Sequence, residues 1–351
     1  MTSVRSPLFS LKVFLFLFLM PHMAFAEKAP LVFLNWADYM SPEILDEFEA
    51  ITGIQVKEIY YDSDEGRDEV LALKNGRGFD LILTSGLSLK TYVKQNWLAH
   101  LPKELPRSLS HIDEKWRHSY PESEGYAVPY FWGTLGIAYR QDLVHSPMES
   151  WQDFFALGKA EKNSINLITS GREVFGAALK AKGYSLNSVD KAEIDDAFTL
   201  LKTVVPNVAS FNYVDLDESS SLVSGDIQAA MMYSGDALAL QEHHQDIIYV
   251  LPQEGSNIWV DFLTISKHSK QKDAALAFIA FLNRPDVAAK LAEYVYYASP
   301  NKAARALLEQ EFLENKVVFP DEDSLEKSEF FHELPARTLR RLNQKFQQLV
   351  D

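Results

Sequence analysis

Cysteine is absent from the 351-residue chain. Its absence excludes disulfide bonds, a thiolate nucleophile and cysteine-ligated metal centres. Stability must therefore come from apolar cores. Because exported animal proteins commonly rely on disulfides, an exported chain of this size without cysteine is more typical of a bacterial periplasm.

Long hydrophobic runs are also scarce, and the one near the start is short. Val13–Met20 is an apolar run of eight residues, far below the ~20 that cross a bilayer. Arg5 and Lys12 precede it and Ala24–Ala26 offers a cleavage site, so residues 1–26 are predicted to be a secretory signal peptide. The alternative is an uncleaved amphipathic anchor. The remaining chain is expected to be soluble and periplasmic, without a lipid anchor because it has no cysteine to carry one.

Positive charge is in short supply. The sequence has 34 Lys and Arg against 49 Asp and Glu, a formal charge of −15 that becomes −17 when Arg5 and Lys12 leave with the signal peptide. An acidic surface repels nucleic acid and anionic lipid and attracts small cations. We therefore expect no nucleic-acid partner.

Several motifs of catalysis and cofactor binding are missing. The sequence has no Gly-rich phosphate loop and no G-x-S-x-G nucleophile elbow. His243–Asp246 lacks the spacing of a metal site, because adjacent helical residues point about 100° apart. Asp62, Asp64 and Gly66 resemble the start of a calcium loop, but the glycine is one residue early and the bidentate acid is missing. The sequence therefore predicts no cofactor, no metal and no catalytic residue.

Short apolar strands alternate with helices in the first part of the chain. Leu31–Leu34 is predicted to be a buried strand, and Ser41 is a suitable N-cap for a helix that Gly53 ends. Ile54–Ile59 and Phe79–Leu83 are two further strands. Strands that alternate with helices predict a parallel α/β sheet. Later helices are predicted over Trp151–Leu157, Arg172–Lys182, Lys191–Val204, Asp273–Leu282 and Glu333–Val350, and later strands over Ile227–Met232 and Ile247–Leu251.

Two long strand-like segments interrupt this alternation. Tyr126–Tyr139 is largely apolar and contains Pro129 and Gly133, which a central strand rarely tolerates. Trp259–Ile265 has a similar apolar character. Both segments are predicted to cross between two domains, for which a mature chain of about 325 residues is long enough.

An acid lies close to an aromatic residue at several predicted strand ends. The pairs are Trp36 with Asp38, Tyr233 with Asp236, and Trp259 with Asp261. In open α/β sheets, ligands bind at the carboxyl ends of strands. A buried ammonium group needs carboxylates and its methylene chain needs apolar walls, while each aromatic face adds ~0.5–2 kcal/mol of cation–π attraction. The pattern therefore predicts a polyamine site, although each ring taken singly is better explained as core. Glu173, at a helix start, is by itself better explained by the helix dipole.

Short motifs in a fixed order cover the chain after the signal peptide. They are Asn35–Tyr39, Ile51–Ile54, Phe79–Leu81, Val128–Gly133, Arg172–Phe175, Pro206–Asn212, Trp259–Asp261, Phe281–Asp286 and Ser299–Asn301. In this order they resemble the bacterial periplasmic spermidine/putrescine-binding proteins. The resemblance implies an α/β, two-lobed periplasmic binding protein fold of type II, with a ligand cleft between lobes that close like a hinge. Lobe 1 is expected over 27–131 and 260–305, and lobe 2 over 132–259 and 306–351.

The resemblance also implies a set of ligand-binding residues. Rings that clamp the ligand are expected at Trp36, Tyr39, Tyr233, Trp259 and Tyr297, ammonium-binding acids at Asp38, Glu173, Asp236 and Asp261, and polar contacts at Ser85 and Gln344. Three positions depart from the spermidine binders: Ser170 replaces an Asp, Leu87 a Tyr, and Tyr233 a Trp. The choice among putrescine, norspermidine, spermidine and spermine therefore stays open.

The function implied by the resemblance is polyamine binding without catalysis, by a protein expected to be a monomer. One branch of the family senses norspermidine and signals to an inner-membrane cyclic-di-GMP enzyme that controls biofilm formation, and we expect this role. The alternative is the substrate-binding receptor of a polyamine ABC importer, with the permease as its partner. An amine-converting enzyme would need a base or cofactor that is absent. A receptor for sugars or anions shares the fold, but four carboxylates in its cleft would repel an anion.

Overall fold

The computed structural model describes residues 29–104 and 107–350, and the predicted signal peptide at 1–26 lies outside them. The strands of this part are β1 (Leu31–Trp36), β2 (Val56–Tyr61), β3 (Leu81–Ser85), β4 (Ala127–Arg140), β5 (Ile165–Leu167), β6 (Ser210–Phe211), β7 (Ala229–Tyr233), β8 (Ile247–Val250) and β9 (Ile258–Ile265). The helices are α1 (Pro42–Thr52), α2 (Asp64–Lys74), α3 (Gly86–Lys94), α4 (Glu114–Arg117), α5 (Trp151–Ala160), α6 (Gly171–Ala181), α7 (Lys191–Val204), α8 (Ser221–Ser224), α9 (Ser234–Gln241), α10 (Lys272–Leu282), α11 (Pro285–Val295), α12 (Gln310–Glu314), α13 (Glu322–Leu325) and α14 (Ala336–Val350). Within these ranges, every helix falls short of the length or apolar character that crossing a membrane takes.

The described strands form one sheet in the order β2-β1-β3-β9-β4-β7-β5-β6, with β8 also paired to β4. β1 pairs in parallel with β2 and β3, which confirms the parallel α/β arrangement predicted for the first three strands. β5 likewise pairs in parallel with β6 and β7. β9 and β4 are antiparallel to their neighbours and join the two parallel groups.

The start and end of α1 follow from its sequence. Ser41 has the extended backbone of an N-cap (φ −72°, ψ 128°), and Pro42 occupies the first turn, where its missing N–H costs nothing. Gly53 ends the helix in the left-handed conformation at φ 65°, which glycine adopts without strain. The helix buries Ile44 and Phe48 at a four-residue spacing, so one face packs on the sheet.

Strands β2 and β3 are each displaced by two residues from their predicted positions, Ile54–Ile59 and Phe79–Leu83. The turns before them contain Gly53 at φ 65° and Gly78 at φ 92°. These left-handed residues lengthen the turns, so the extended backbone begins later and ends later than the apolar pattern indicates.

The long strand predicted over Tyr126–Tyr139 is confirmed as β4. Its first part, up to Thr134, pairs with β9, and from Leu135 onward it pairs with β7 and β8. The register shifts between Pro129 and Trp132, where the proline lacks the N–H that a regular ladder requires. We propose that the two predicted lobes meet along β4 and β9.

Helices cover both faces of each half of the sheet. In the half that contains β1 and β3, Phe33 packs with Phe48 and Phe278 on one face, and Leu34 packs with Tyr92 on the other. In the other half, large buried residues come from β4, α5 and α6, among them Ile137, Trp151, Phe154 and Phe175. Full burial of each such side chain contributes roughly 1.5–3 kcal/mol. These cores hold the strand ends that carry the site.

The C-terminal segment packs against both halves of the sheet. Val318 packs in the same cluster as Leu34 and Tyr92, and its neighbour Val317 also packs against the cluster that contains Ala230 and Leu240. Leu334 and Phe346 pack in the cluster of the other half. We propose that the last crossing lies between Val318 and Leu334.

Candidate functional site

The carboxyl ends of β3 and β7 point toward each other across the middle of β4. β3 runs in the same direction as β4, because both are antiparallel to β9, whereas β7 runs against β4. β3 ends at Ser85, which lies opposite Asp261 in the ladder, and β7 ends at Tyr233, which lies opposite Leu135. The pairing therefore brings Asp261 and Tyr233 to one central cleft, where α/β proteins bind ligands.

Glu173 is held in this cleft by neutral partners. The Tyr233 hydroxyl lies 3.0 and 2.9 Å from the two Glu173 oxygens and donates to the carboxylate, and Asn257 Nδ2 donates to Oε1 at 3.4 Å. The Tyr213 ring stacks on Tyr233 with centroids 6.2 Å apart. Glu173 is only 8% exposed, and this burial raises its pKa to about 7, although the Tyr233 hydrogen bond opposes the rise.

Asp236 lies in the first turn of α9, directly after β7. The buried Tyr297 hydroxyl donates to its Oδ1 at 2.6 Å. Burial raises the pKa of Asp236 to about 6, and the Tyr297 hydrogen bond opposes this rise. Gly235 makes the contact possible, since a Cβ there would lie 2.6 Å from the Tyr297 ring. We refer to Glu173, Asp236 and Asp261 as the cleft acids.

Asp261 has the highest pKa of the cleft acids. Burial raises the pKa to about 8, and the negative charge of Asp64 raises it further, while the positive charge of Arg67 opposes the rise. The Tyr39 hydroxyl is close enough to oppose the rise in the pKa of Asp261 as well. Among the described residues, however, this hydroxyl has no partner of hydrogen-bonding geometry. Without a ligand, the carboxyl of Asp261 therefore favours its protonated form. An ammonium group beside it would favour the ionised carboxylate and pair with it.

An aromatic row, formed by Tyr39, Tyr297, Trp259 and Tyr233, connects the cleft acids. Successive ring centroids lie 5.8, 4.8 and 6.0 Å apart, all edge to face, as aromatic pairs prefer. The Trp259 ring lies over Gly133, where a Cβ would come within 2.6 Å of it. The Trp259 Nε1 is buried without a partner in the described part of the chain. The row therefore offers apolar faces for methylenes and a free N–H.

Trp36 and Ser85 lie on the side of the cleft formed by β1 and β3. Trp36 is half-buried at the end of β1 and packs against Tyr61 with ring centroids 4.5 Å apart. The Ser85 hydroxyl donates to Asp64 Oδ2 at 2.7 Å and lies 3.4 Å from the hydroxyl of Ser88. Both predicted residues thus lie at strand ends of the same wall.

Asp38 and Gln344 are both exposed in this structure. Asp38 is exposed with left-handed backbone at φ 56°, and its charge acts on Glu58 and Tyr60. Gln344 is exposed on α14, roughly opposite the face that buries Phe346. Their roles as ligand contacts stay predictions.

Comparison with known proteins places this chain in a family. A family model described as bacterial extracellular solute-binding protein matches residues 43–320. The chain is 34% identical over 308 residues to the spermidine/putrescine-binding periplasmic protein of Salmonella typhimurium, covering 87% of each chain. The chain belongs to this family of bacterial solute-binding proteins, in its spermidine/putrescine branch.

Two further similar proteins support the assignment of this solute-binding protein to the family. It is 29% identical over 310 residues to the norspermidine sensor of Vibrio cholerae, covering 87% of this chain and 84% of the sensor. The solved substrate-binding protein of the spermidine/putrescine ABC transporter from Streptococcus pneumoniae shares 31% identity at a TM-score of 0.80, over 91% of this chain and 98% of that one. The family and the two-lobed α/β fold predicted from the sequence are thus confirmed.

The solute-binding protein has cleft residues that the sequence did not reveal. Asp64 lies in the first turn of α2 and bonds to Ser85, while Asn257 and Tyr213 surround the Glu173–Tyr233 pair. An acid in a first turn is explained by the helix dipole, and the incomplete calcium-loop pattern of Asp62, Asp64 and Gly66 did not indicate a place for Asp64 in the cleft. Asn257 and Tyr213 lie outside the paired acid and ring motifs.

Within the described residues of this solute-binding protein, one group has the composition of a metal site. Ligand atoms of Asp142, His244 and Asp246 lie within 4.8 Å of one another. From the sequence, no metal was predicted at His243–Asp246, and Asp142 is too distant in the chain to be associated with that segment. Arg140 donates to both Asp142 oxygens, at 2.8 and 2.7 Å, and lowers the pKa of Asp142. With that carboxylate exposed and already paired, the contacts favour a surface ion pair over a metal site.

Proposed function

We propose that this protein binds a linear polyamine of the putrescine, spermidine and norspermidine class in the periplasm, without catalysis. The observation that carries the proposal is the state of the cleft acids. Glu173 and Asp236 receive hydrogen bonds from tyrosine hydroxyls instead of cations. None of the salt bridges in the described part of the chain involves any of the three cleft acids. Buried carboxylates without a cation cost several kcal/mol when ionised, and bound ammonium groups would offset part of that cost.

The aromatic row supports a ligand with a hydrocarbon chain between its charges. Tyr297 is 5% exposed and Tyr39 is 8% exposed, so their faces are already shielded from water. Burial of each ligand methylene against such a face contributes ~0.8 kcal/mol to binding, and an ammonium group beside a ring gains cation–π attraction. Sugars would leave the cleft acids without counter-charges, and anions would be repelled.

A thermal-shift screen with amines, sugars and dicarboxylates tests the class of ligand. Putrescine, spermidine or norspermidine should raise the melting temperature, because a ligand that binds only the folded state stabilises it. The matched control is N-acetylated putrescine, which keeps the chain length but loses one charge and should stabilise less. Stabilisation by a sugar or dicarboxylate alone, or chemical turnover of any amine, would overturn the proposal.

For the cellular role, we propose signalling to an inner-membrane cyclic-di-GMP enzyme that controls biofilm formation. The support is the likeness to the norspermidine sensor of Vibrio cholerae, at 29% identity. The likeness to spermidine/putrescine-binding periplasmic proteins, at 34% identity, supports the second candidate, the receptor of a polyamine ABC importer. Deletion separates the roles: altered biofilm with normal polyamine uptake supports the sensor, and lost uptake supports the importer.

Export by the signal peptide at residues 1–26 is part of the same proposal. The support is the composition of that segment and the periplasmic location in the names of the relatives. Cell fractionation should place the protein in the periplasm, and Edman sequencing of the purified protein should begin near Glu27. A product that keeps its first residues and sediments with membranes would contradict cleavage. Size-exclusion chromatography tests the expected monomer.

A further inference from the structure

We propose that Asp64 is a specificity-determining carboxylate of the cleft, which favours polyamines with three ammonium groups over diamines. This inference rests on the proposed function. It concerns a residue of α2 that the sequence motifs do not contain.

The position of Asp64 is fixed from two sides. Arg67 Nη1 donates to its Oδ1 at 2.7 Å and Ser85 Oγ donates to its Oδ2 at 2.7 Å. Ser85 lies directly opposite Asp261 in the β3–β9 ladder. The Asp64 carboxylate therefore lies over the end of β3, beside the Asp261 strand. Each of its oxygens retains a lone pair, because a carboxylate accepts about four hydrogen bonds.

The Asp64 charge reaches cleft acids on both sides of the cleft. Among charged neighbours it has the largest effect on Asp261, on β9, and also on Glu173, on α6, raising the pKa of each. This effect agrees with the place of the Asp64 carboxylate at the end of β3, which its hydrogen bond to Ser85 fixes. Its side chain is 41% exposed, whereas the Arg67 side chain behind it is fully buried.

Two buried polar atoms in the same region also lack partners in the described residues. They are the Tyr39 hydroxyl, near Asp261, and Asn257 Oδ1, near Glu173, on residues that are 8% and 5% exposed. Unsatisfied buried polar groups are rare in folded proteins. The Asn257 oxygen accepts hydrogen bonds only, so a donor such as an ammonium N–H would satisfy it.

A purely structural role explains less of the Asp64 geometry. The N-terminus of α2 is already capped, because Ser63 Oγ accepts from Gly66 N at 3.1 Å. A residue that served only the helix dipole would not need the bond to Ser85 on another strand. Asp68 is a natural comparison: it shares Arg67 at 3.2 Å and is 45% exposed, but Ser85 does not bind it.

The charge count gives the ligand class. With Asp64, four carboxylates face the cleft, and Arg67 is the guanidinium that Asp64 and Asp68 share. A diamine brings two positive charges, and a triamine such as spermidine or norspermidine brings three. The extra ammonium lies in the interior of a triamine. Asp64, whose carboxylate is bound to Ser85 opposite Asp261, would meet it there. Asp64 should therefore add affinity for triamines and little for putrescine.

Calorimetric titration of the mature protein with spermidine, norspermidine and putrescine tests the inference. Asp64→Asn should weaken both triamines ~10-fold and putrescine by less than ~3-fold, since one charge pair in a closed cleft is lost. The matched control Asp68→Asn, on the same helix and the same guanidinium, should leave all three affinities within ~2-fold. Thermal melts without ligand verify folding, and if Asp64→Asn fails to fold, Ser85→Ala, which frees the carboxylate, should show the same selective loss.

The outcomes separate this inference from the proposed function. If no amine binds to the unmutated protein, the proposed function fails. If amines bind and Glu173→Gln abolishes binding, but Asp64→Asn leaves the triamine-to-putrescine ratio unchanged, this inference alone fails. Equal losses in Asp64→Asn and Asp68→Asn would also overturn it, because they would indicate a general effect of charge on the wall.

Discussion

The replacement Asp261→Asn should stabilise the ligand-free protein while it abolishes its function. Asp261 is 9% exposed and its pKa is raised to about 8, first by burial. The folded state therefore binds the proton of this carboxyl more tightly than the unfolded state does, which has a pKa near 3.9. Asparagine has nearly the same shape and no charge to bury.

The magnitude follows from proton linkage. Because the folded pKa is the higher one, Asp261 lowers the free energy of unfolding as pH rises from about 4 to about 8, and the loss is constant above that. At pH 7 the loss is 1.36 kcal/mol for each of about three pH units, or ~4 kcal/mol. We expect Asp261→Asn to gain ~2–4 kcal/mol at pH 8 and less than ~1 kcal/mol at pH 4.

Urea unfolding without ligand at pH 4, 6 and 8 measures this difference. Asp46→Asn is the matched control, since Asp46 is exposed on α1 and should show no gain at any of these pH values. The same preparations titrated with spermidine should show that Asp261→Asn loses affinity while Asp46→Asn keeps it. If Asp261→Asn is less stable than the unmutated protein at pH 8, the burial argument for the cleft acids is refuted.

Three other results follow from the same site. Glu173→Gln and Trp259→Ala should each weaken polyamine binding by ~2–5 kcal/mol in calorimetry, because a buried ammonium loses a partner; near-unchanged affinity in both would remove the site assignment. Polyamine affinity should rise between pH 6 and 8, because binding needs both Glu173 and Asp261 ionised. The pKa of Glu173 is about 7 and that of Asp261 about 8, while the amines stay charged to about pH 10. The cleft acids should release protons when the polyamine binds, so the heat of binding should depend on the ionisation heat of the buffer. A heat of binding that is the same in all buffers would contradict this. Gly235→Ala should cost ~1–3 kcal/mol of stability in thermal melts and weaken binding, since its Cβ would lie 2.6 Å from the Tyr297 ring; an unchanged melt would show that the ring can move.

Much of the fold was predictable because local chemistry and tertiary packing agree. Ser41, Pro42 and Gly53 bound α1 as capping rules require, and Lys191–Val204 is a helix over its predicted length. The apolar run that became β4 was correctly expected to be a long strand. Strand bounds were less predictable, because the positive φ of glycines in the preceding turns is not visible in apolar periodicity.

The candidate site was predictable where an acid and a ring adjoin a strand end. Asp236 and Asp261 both follow this pattern, and both are buried carboxyls of the candidate cleft. Asp64 was not predicted, because a first-turn acid has a ready local explanation and its neighbour Ser85 is 21 residues away. Asp38 belongs to an equally clear motif, but it is exposed with left-handed backbone at φ 56°, and its role as a ligand contact stays a prediction.

Polyamine binding in the cleft is the property to measure first. Calorimetric titration of the mature protein with putrescine, spermidine and norspermidine, beside Glu173→Gln, measures this at pH 8. We predict saturable binding of one polyamine per chain, lost or strongly weakened in Glu173→Gln. No binding of any of the three amines, or equal binding by both proteins, would contradict the account.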